Sequence, residues 1–79
     1  MSILAQGTKA VSAWHKEGRI YVRLADGREL NFPVSANPLL RGATHKQLGN
    51  IEISPYGLHW PELDEDLSVQ GILEGRYGG

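Results

Sequence analysis

Arg19-Ile20-Tyr21-Val22-Arg23-Leu24-Ala25-Asp26-Gly27-Arg28-Glu29-Leu30-Asn31-Phe32-Pro33 is the stretch whose pattern decides the fold. Its first six residues alternate polar and apolar, so Ile20, Val22 and Leu24 share one face and Arg19, Tyr21 and Arg23 the other, as a half-buried strand requires. Asp26-Gly27 offers the positive φ that a tight two-residue hairpin turn needs. Leu30 and Phe32 continue the apolar face on the returning strand, which Pro33 closes. Upstream, Val11-Ser12-Ala13-Trp14-His15 runs through Lys16-Glu17-Gly18 into this stretch. The pattern predicts three antiparallel strands in a meander.

Beyond Pro33 the texture changes. Asn37 stands ahead of Pro38, a proline suited to the first helical position, and Gly42 follows, which predicts one helical turn. Thr44-His45-Lys46-Gln47 fits the capping box, in which Thr44 and Gln47 each satisfy the other's backbone amide, so a second short helix is expected to about Asn50. Ile51-Glu52-Ile53 and Leu58-His59-Trp60, separated by Pro55-Tyr56-Gly57, read as a fourth and a fifth strand. In Glu62-Leu63-Asp64-Glu65-Asp66-Leu67 the leucines are four apart, the spacing of a helical turn that buries both and turns its carboxylates outward. Ser68 is placed to cap a last helix carrying Val69, Ile72 and Leu73, with Gly75 at its end. The expected fold is α+β: a small curved antiparallel sheet, the meander plus one or two further strands, with two or three short helices on one face.

With 79 residues the chain has room for one core, so residues 1–79 are read as a single domain whose ends, 1–7 and 76–79, are loose. Hydrophobic residues at 41% against 22% charged favour a folded chain over a disordered one. Cysteine is absent, which excludes disulfides and thiolate metal sites and leaves oligomerisation or partner binding as supplements to a small core. The run Met1–Ala5 carries no basic residue and is shorter than a signal-peptide core or a membrane span, so no membrane association is expected and a cytoplasmic location is. Net charge is −1, yet it is unevenly spread. Residues 1–50 hold seven Lys and Arg against three acids, and residues 51–79 hold one Arg against six acids. Such asymmetry marks two binding faces or an attraction between the halves of one fold.

No constellation of catalysis stands out. No nucleophile elbow, phosphate-binding glycine loop or dinucleotide fingerprint is present, and no cofactor is expected. His15, His45 and His59 lack the spacing of a zinc helix and read as unrelated. His59 has an acid nearby at Glu62, a pair suited to proton transfer, although a histidine on an exposed strand face needs no such role. Asp64 and Asp66 are the carboxylates placed best for a divalent cation, but the calcium-loop pattern with its turn glycine is missing, and solvated charge explains them. Arg19, Tyr21 and Arg23, with Arg28 and Lys9 beside them, make a basic and aromatic strand face that either meets phosphate or is ordinarily solvated.

At Phe32-Pro33-Val34, Pro38-Leu39-Leu40, Ala43–Asn50 and above all Gly57-Leu58-His59-Trp60-Pro61-Glu62-Leu63-Asp64-Glu65-Asp66-Leu67-Ser68-Val69, the chain resembles the bacterial family known as domain of unknown function 2442. The likeness spans about residues 10–75. Gly49 and the trailing Arg76-Tyr77-Gly78-Gly79 are its least typical parts. The resemblance implies a small α+β domain and no chemistry. Such domains are sometimes joined to a helix-turn-helix, which this chain lacks, and are often paired with another small protein in what looks like a toxin and antitoxin arrangement.

The expectation that follows is a non-catalytic, inhibitor-like or antitoxin-like module, monomeric or weakly dimeric, that occludes a basic or nucleic-acid-handling protein. Trp60, beside Pro61, would anchor the interface and Glu62, Asp64, Glu65 and Asp66 would steer the partner. Trp60, Leu63 and Leu67 would equally serve as a core lid. An anti-CRISPR inhibitor of a CRISPR effector complex is one variant. A nucleic-acid-binding regulatory module using Arg19, Tyr21, Arg23 and Arg28 is the alternative from another class.

Overall fold

The computed structural model describes residues 9–78. Strands β1 (Ala10–Lys16), β2 (Arg19–Leu24) and β3 (Glu29–Pro33) form an antiparallel sheet in the order β1-β2-β3. Glu17 and Gly18, with φ of 51° and 78°, make the two-residue turn between β1 and β2, because successive positive φ values match the twist of paired strands. This sets Lys16 opposite Arg19, Trp14 opposite Tyr21 and Ala13 opposite Val22. A register shift between Ala10 and Ser12 bulges the strand at Val11, whose side chain is exposed.

The β2–β3 connection is a residue longer than the predicted turn. Leu24 N–H donates to the Arg28 carbonyl (2.8 Å) and Gly27 N–H to the Leu24 carbonyl (3.0 Å), leaving Ala25, Asp26 and Gly27 in the loop. Gly27 has the positive φ, 92°, and Asp26 does not. Asp26 instead uses its carboxylate to accept the Arg28 N–H at 2.9 Å, the side-chain turn that aspartate favours.

Strands β4 (Glu52–Ser54), β5 (Gly57–Trp60) and β6 (Glu65–Ser68) do not extend the meander but form a second antiparallel sheet in the order β4-β5-β6. The sheets are joined where Ala10 N–H donates to the Pro55 carbonyl at 2.7 Å. Helix α1 (His45–Gly49) starts on the predicted capping box, with Gln47 N–H donating to Thr44 Oγ1 (3.1 Å) and Thr44 N–H to Gln47 Oε1 (3.0 Å). Helix α2 (Val69–Leu73) starts on Ser68, whose Oγ accepts the Gly71 N–H, and ends ahead of Gly75 at φ 81°. At the turn expected after Asn37, the Asn37 side chain caps the amides of Leu39 (2.8 Å) and Leu40 (3.0 Å), and Arg41 N–H returns to the Asn37 carbonyl. A 3-10 turn over Val34–Ala36 precedes it.

The helical turn expected over Glu62–Leu67 is not formed. Pro61–Asp64 is a reversing loop, with Leu63 N–H on the Trp60 carbonyl and Asp64 at φ 51°, and Glu65–Ser68 returns as β6. An isolated six-residue helix leaves most of its backbone groups unpaired, whereas β6 pairs Leu67 with Leu58 and Glu65 with Trp60. In the C-terminal segment Tyr77 stacks on Phe32 at 4.8 Å between centroids with the rings 6° from parallel, and Asn37 Nδ2 donates to its carbonyl. Residues 1–7 and Gly79, read as loose, lie outside the described residues.

The architecture is therefore α+β, mostly strand, around one core. Ile20, Val22, Leu24 and Phe32 come from the first sheet, Leu58, Trp60 and Leu67 from the second, and Leu40, Leu48, Val69 and Ile72 from the turns and helices. Trp60 is 0% exposed and its Nε1–H donates to the Leu48 carbonyl at 3.1 Å, so its polar edge is satisfied while its ring is buried. Among the described residues no helix is long and apolar enough to cross a membrane.

Candidate functional site

The burial of Trp60 removes it from any surface, and the predicted interface residues separate around it. Strand alternation explains the split. Residues paired directly across β5 and β6 share a face, so Glu65, opposite Trp60, points inward, while Asp66, opposite His59, points outward. Glu62 and Asp64 lie in the Pro61–Asp64 loop, where Glu62 accepts a hydrogen bond from Asn50 Nδ2 at 3.0 Å.

The outward row of the second sheet is Glu52, His59 and Asp66, one from each strand. Asp66 Oδ1 lies 2.7 Å from His59 Nδ1. An ionised carboxylate only accepts, which assigns the proton to Nδ1 and leaves Nε2 free to accept or, in the imidazolium, to donate. The row borders an open concavity of about 540 Å³, also lined by Ser54, Ser68 and Tyr56, the last 60% exposed, while Ile53, opposite the buried Leu58, turns its side chain to the other face. The sequence-level pairing of His59 with Glu62 is replaced by His59 with Asp66, and Glu52 joins them. Among the described residues, Glu52, Glu62, Asp64 and Asp66 make no ion pair with lysine or arginine. No three His, Asp or Glu side chains among the described residues converge as metal ligands would.

Glu65 does different work from its neighbours. Its Oε2 accepts from Asn37 Nδ2 at 2.7 Å, and the same nitrogen donates to the Tyr77 carbonyl at 2.6 Å. With Oδ1 capping Leu39 and Leu40, the fully buried Asn37 meets four partners and ties the loop after β3, strand β6 and the C-terminal segment together. The two inward-side features that sequence reading missed, Asn37 as a hub and Tyr77 as its partner, depend on contacts 28 and 40 residues apart.

The outward face of the first sheet has the opposite character. Arg19, Tyr21 and Arg23 share it as predicted, and Trp14 stands opposite Tyr21 with the rings 5.6 Å apart and 6° from parallel. The Arg23 guanidinium lies 5.9 Å from the Trp14 ring and pairs with Glu29 at 3.2 Å. Arg19 Nε donates to Asn31 Oδ1 at 2.7 Å. Arg28 is not part of this array; it is held by Asp26 at 2.6 Å, and those contacts, led by the Arg28 amide, keep the Asp26 carboxyl below its ordinary range. Trp14 was within reach of sequence reasoning, because counting back from Glu17-Gly18 fixes its register with Tyr21.

Two histidines read as unrelated also meet. His15 Nδ1 and His45 Nδ1 are 3.0 Å apart, linking β1 to α1. Burial, and then the neighbouring His45, lower the His15 pKa.

No curated protein gives a significant match. Two solved structures are similar to the chain: the crystal structure of a protein of unknown function from Rhodospirillum rubrum, 37% identical with a TM-score of 0.82 over 90% of each chain, and the solution structure of an uncharacterized protein from Chromobacterium violaceum, 33% identical with a TM-score of 0.79 over 100% of this chain and 84% of that one. Residues 10–78 match the family described as Protein of unknown function (DUF2442), which covers both sheets and both helices, and the chain belongs to that family.

Proposed function

We propose that the protein is a non-catalytic, inhibitor-like or antitoxin-like module that occludes a basic protein partner through the outward face of β4, β5 and β6. The observation that carries this reading is the row Glu52, His59 and Asp66 along an open concavity beside the exposed Tyr56. Two features give the row directionality. Its carboxylates have no lysine or arginine partner among the described residues, whereas Arg23 on β2 and Arg28, just ahead of β3, are paired with Glu29 and Asp26. Glu62 and Asp64 lie in the loop that joins β5 to β6 and add charge of the same sign. Uncompensated carboxylates steer a cationic surface, and the exposed Tyr56 at their margin adds contact area that holds it. Trp60 supports this surface from beneath.

Capture from a host lysate at low salt, followed by washes of rising salt, tests the proposal with the wild type and with a Glu52→Lys, Asp66→Lys double variant side by side. The expected result is a basic protein retained by the wild type, released by salt, and not retained by the folded variant. Equal retention by both proteins, or retention that salt does not weaken, overturns it.

A further inference from the structure

We propose that the outward face of β1–β3 is a platform for single-stranded nucleic acid, on which Trp14 and Tyr21 stack bases and Lys16 and Arg19 hold phosphate. This surface is separate from the acidic face of the second sheet and does not depend on it.

The cross-strand register makes the platform. Trp14 and Tyr21 sit opposite each other with parallel rings, both only partly buried, on the side of the sheet away from Ile20, Val22 and Phe32. Arg23 lies against Trp14 and is held by Glu29, so the stack is bordered on one side by a fixed guanidinium. On β3, Asn31 is the register partner of Tyr21 and takes the Arg19 Nε–H. Asn31 is neutral, so this bond positions Arg19 without cancelling its charge. Lys16, the register partner of Arg19, is exposed and, like Arg19, has no ion-pair partner among the described residues. Two uncompensated cations thus lie one two-residue step along the strands, about 7 Å, from the aromatic pair. A single nucleotide spans that step, base on the rings and phosphate on the cations.

The geometry selects single strands over duplex. A three-stranded face without a projecting helix or ribbon does not enter a groove, and ring faces are of use only to bases that are not already stacked in a duplex. Stacking on Trp and Tyr is tolerant of sequence because every base has a π-face. The cation count sets the salt response. Two phosphate contacts on a single strand give a slope of about −1.4 in log K against log salt, or roughly a sevenfold loss between 50 and 200 mM.

Fluorescence anisotropy of labelled oligothymidine and oligouridine of about 12 nucleotides, within the usual range of single-strand site sizes, tests the proposal. The wild type is expected to bind both more tightly than a duplex of equal length, with quenching of Trp14 emission and the sevenfold salt response. Trp14→Ala should weaken binding about fivefold or more, Trp14→Phe should retain most of it, and Lys16→Ala with Arg19→Ala should flatten the salt response. Native far-UV circular dichroism and buried Trp60 emission show that each variant is folded. The proposal is overturned by no anisotropy change at low salt, by unchanged affinity in folded Trp14→Ala, or by equal affinity for the duplex. Self-association through this face in place of oligonucleotide binding overturns it as well.

Discussion

Asn37→Asp perturbs the fold at the point where its separate parts are tied. The replacement keeps the shape and the Oδ1 acceptor that caps Leu39 and Leu40, and it removes both donors of Nδ2. One donor serves the Glu65 carboxylate at 2.7 Å and the other the Tyr77 carbonyl at 2.6 Å. A hydrogen bond to a charged group contributes about 1.5–3 kcal/mol and a neutral one about 0.5–1.5 kcal/mol, so their loss at a fully buried position costs about 2–4 kcal/mol. Against a total stability of about 4–12 kcal/mol for a chain of this length, that is a large fraction. The cost also depends on pH. Burial and the adjacent Glu65 raise the folded-state pKa of the introduced carboxyl group above its unfolded value of about 3.9. Its penalty is therefore absent below about pH 3.9 and grows as pH rises toward the folded-state pKa. Urea unfolding followed by circular dichroism at about pH 7.5 and about pH 4 should show a wide gap between wild type and variant at the higher pH and a narrower one at the lower. A gap below about 1 kcal/mol at neutral pH, or one that does not change with pH, refutes the four-partner role of Asn37.

Other sites give independent checks. Thr44→Ala removes the capping box of α1 and should cost about 0.5–2 kcal/mol in urea unfolding, with Thr44→Ser restoring most of it. Gly78→Ala places a methyl against Asn37 Nδ2 and, at 2.8 Å, against Glu65 Oε2, on a backbone with φ of 89°. It should displace the C-terminal segment from Phe32 at a cost of about 1–2 kcal/mol, seen as loss of the ring-current shifts of the Phe32–Tyr77 stack. The folded-state pKa of His15 is lowered, so its contribution is present above its unfolded value of about 6.5 and is lost as pH falls through the folded value. The wild type should lose stability between about pH 7.5 and 5.5, by an amount that solvent screening keeps small, and His45→Gln should reduce that slope.

Local chemistry was legible in the sequence and long-range chemistry was not. The capping box at Thr44 and Gln47, the Asn37 and Ser68 caps and the alternation of Ile20, Val22 and Leu24 each depend on neighbours within a few residues, and all appear in the fold. The Asp26-Gly27 turn was misjudged by one residue because the Asp26 carboxylate took the Arg28 amide in place of a left-handed backbone. The segment Glu62–Leu67 was misread for a more instructive reason. Leu63 and Leu67 are spaced for a helical turn, but Leu63, Glu65 and Leu67 are also spaced for one face of a strand, and an inward carboxylate at Glu65 obscures the second pattern. Only the donors of Asn37, 28 residues away, make that carboxylate acceptable inside. Trp60 read equally as anchor or core, and its bond to the Leu48 carbonyl decides for the core. The candidate site divides in the same way: Asp66 was named, Glu62 and Asp64 fell in the adjoining loop, and Glu52 was missed because a three-residue strand shows too little alternation to assign its outward face.

The most direct measurement of the proposed role is a titration of ¹⁵N-labelled protein with the partner captured by its acidic face, followed by amide chemical shifts. The account predicts that Glu52, Ser54, His59, Asp66 and Ser68 shift or broaden while the amides of β2 and β3 stay in place. Perturbation confined to β1–β3, with the Glu52, His59 and Asp66 row unmoved, would contradict it.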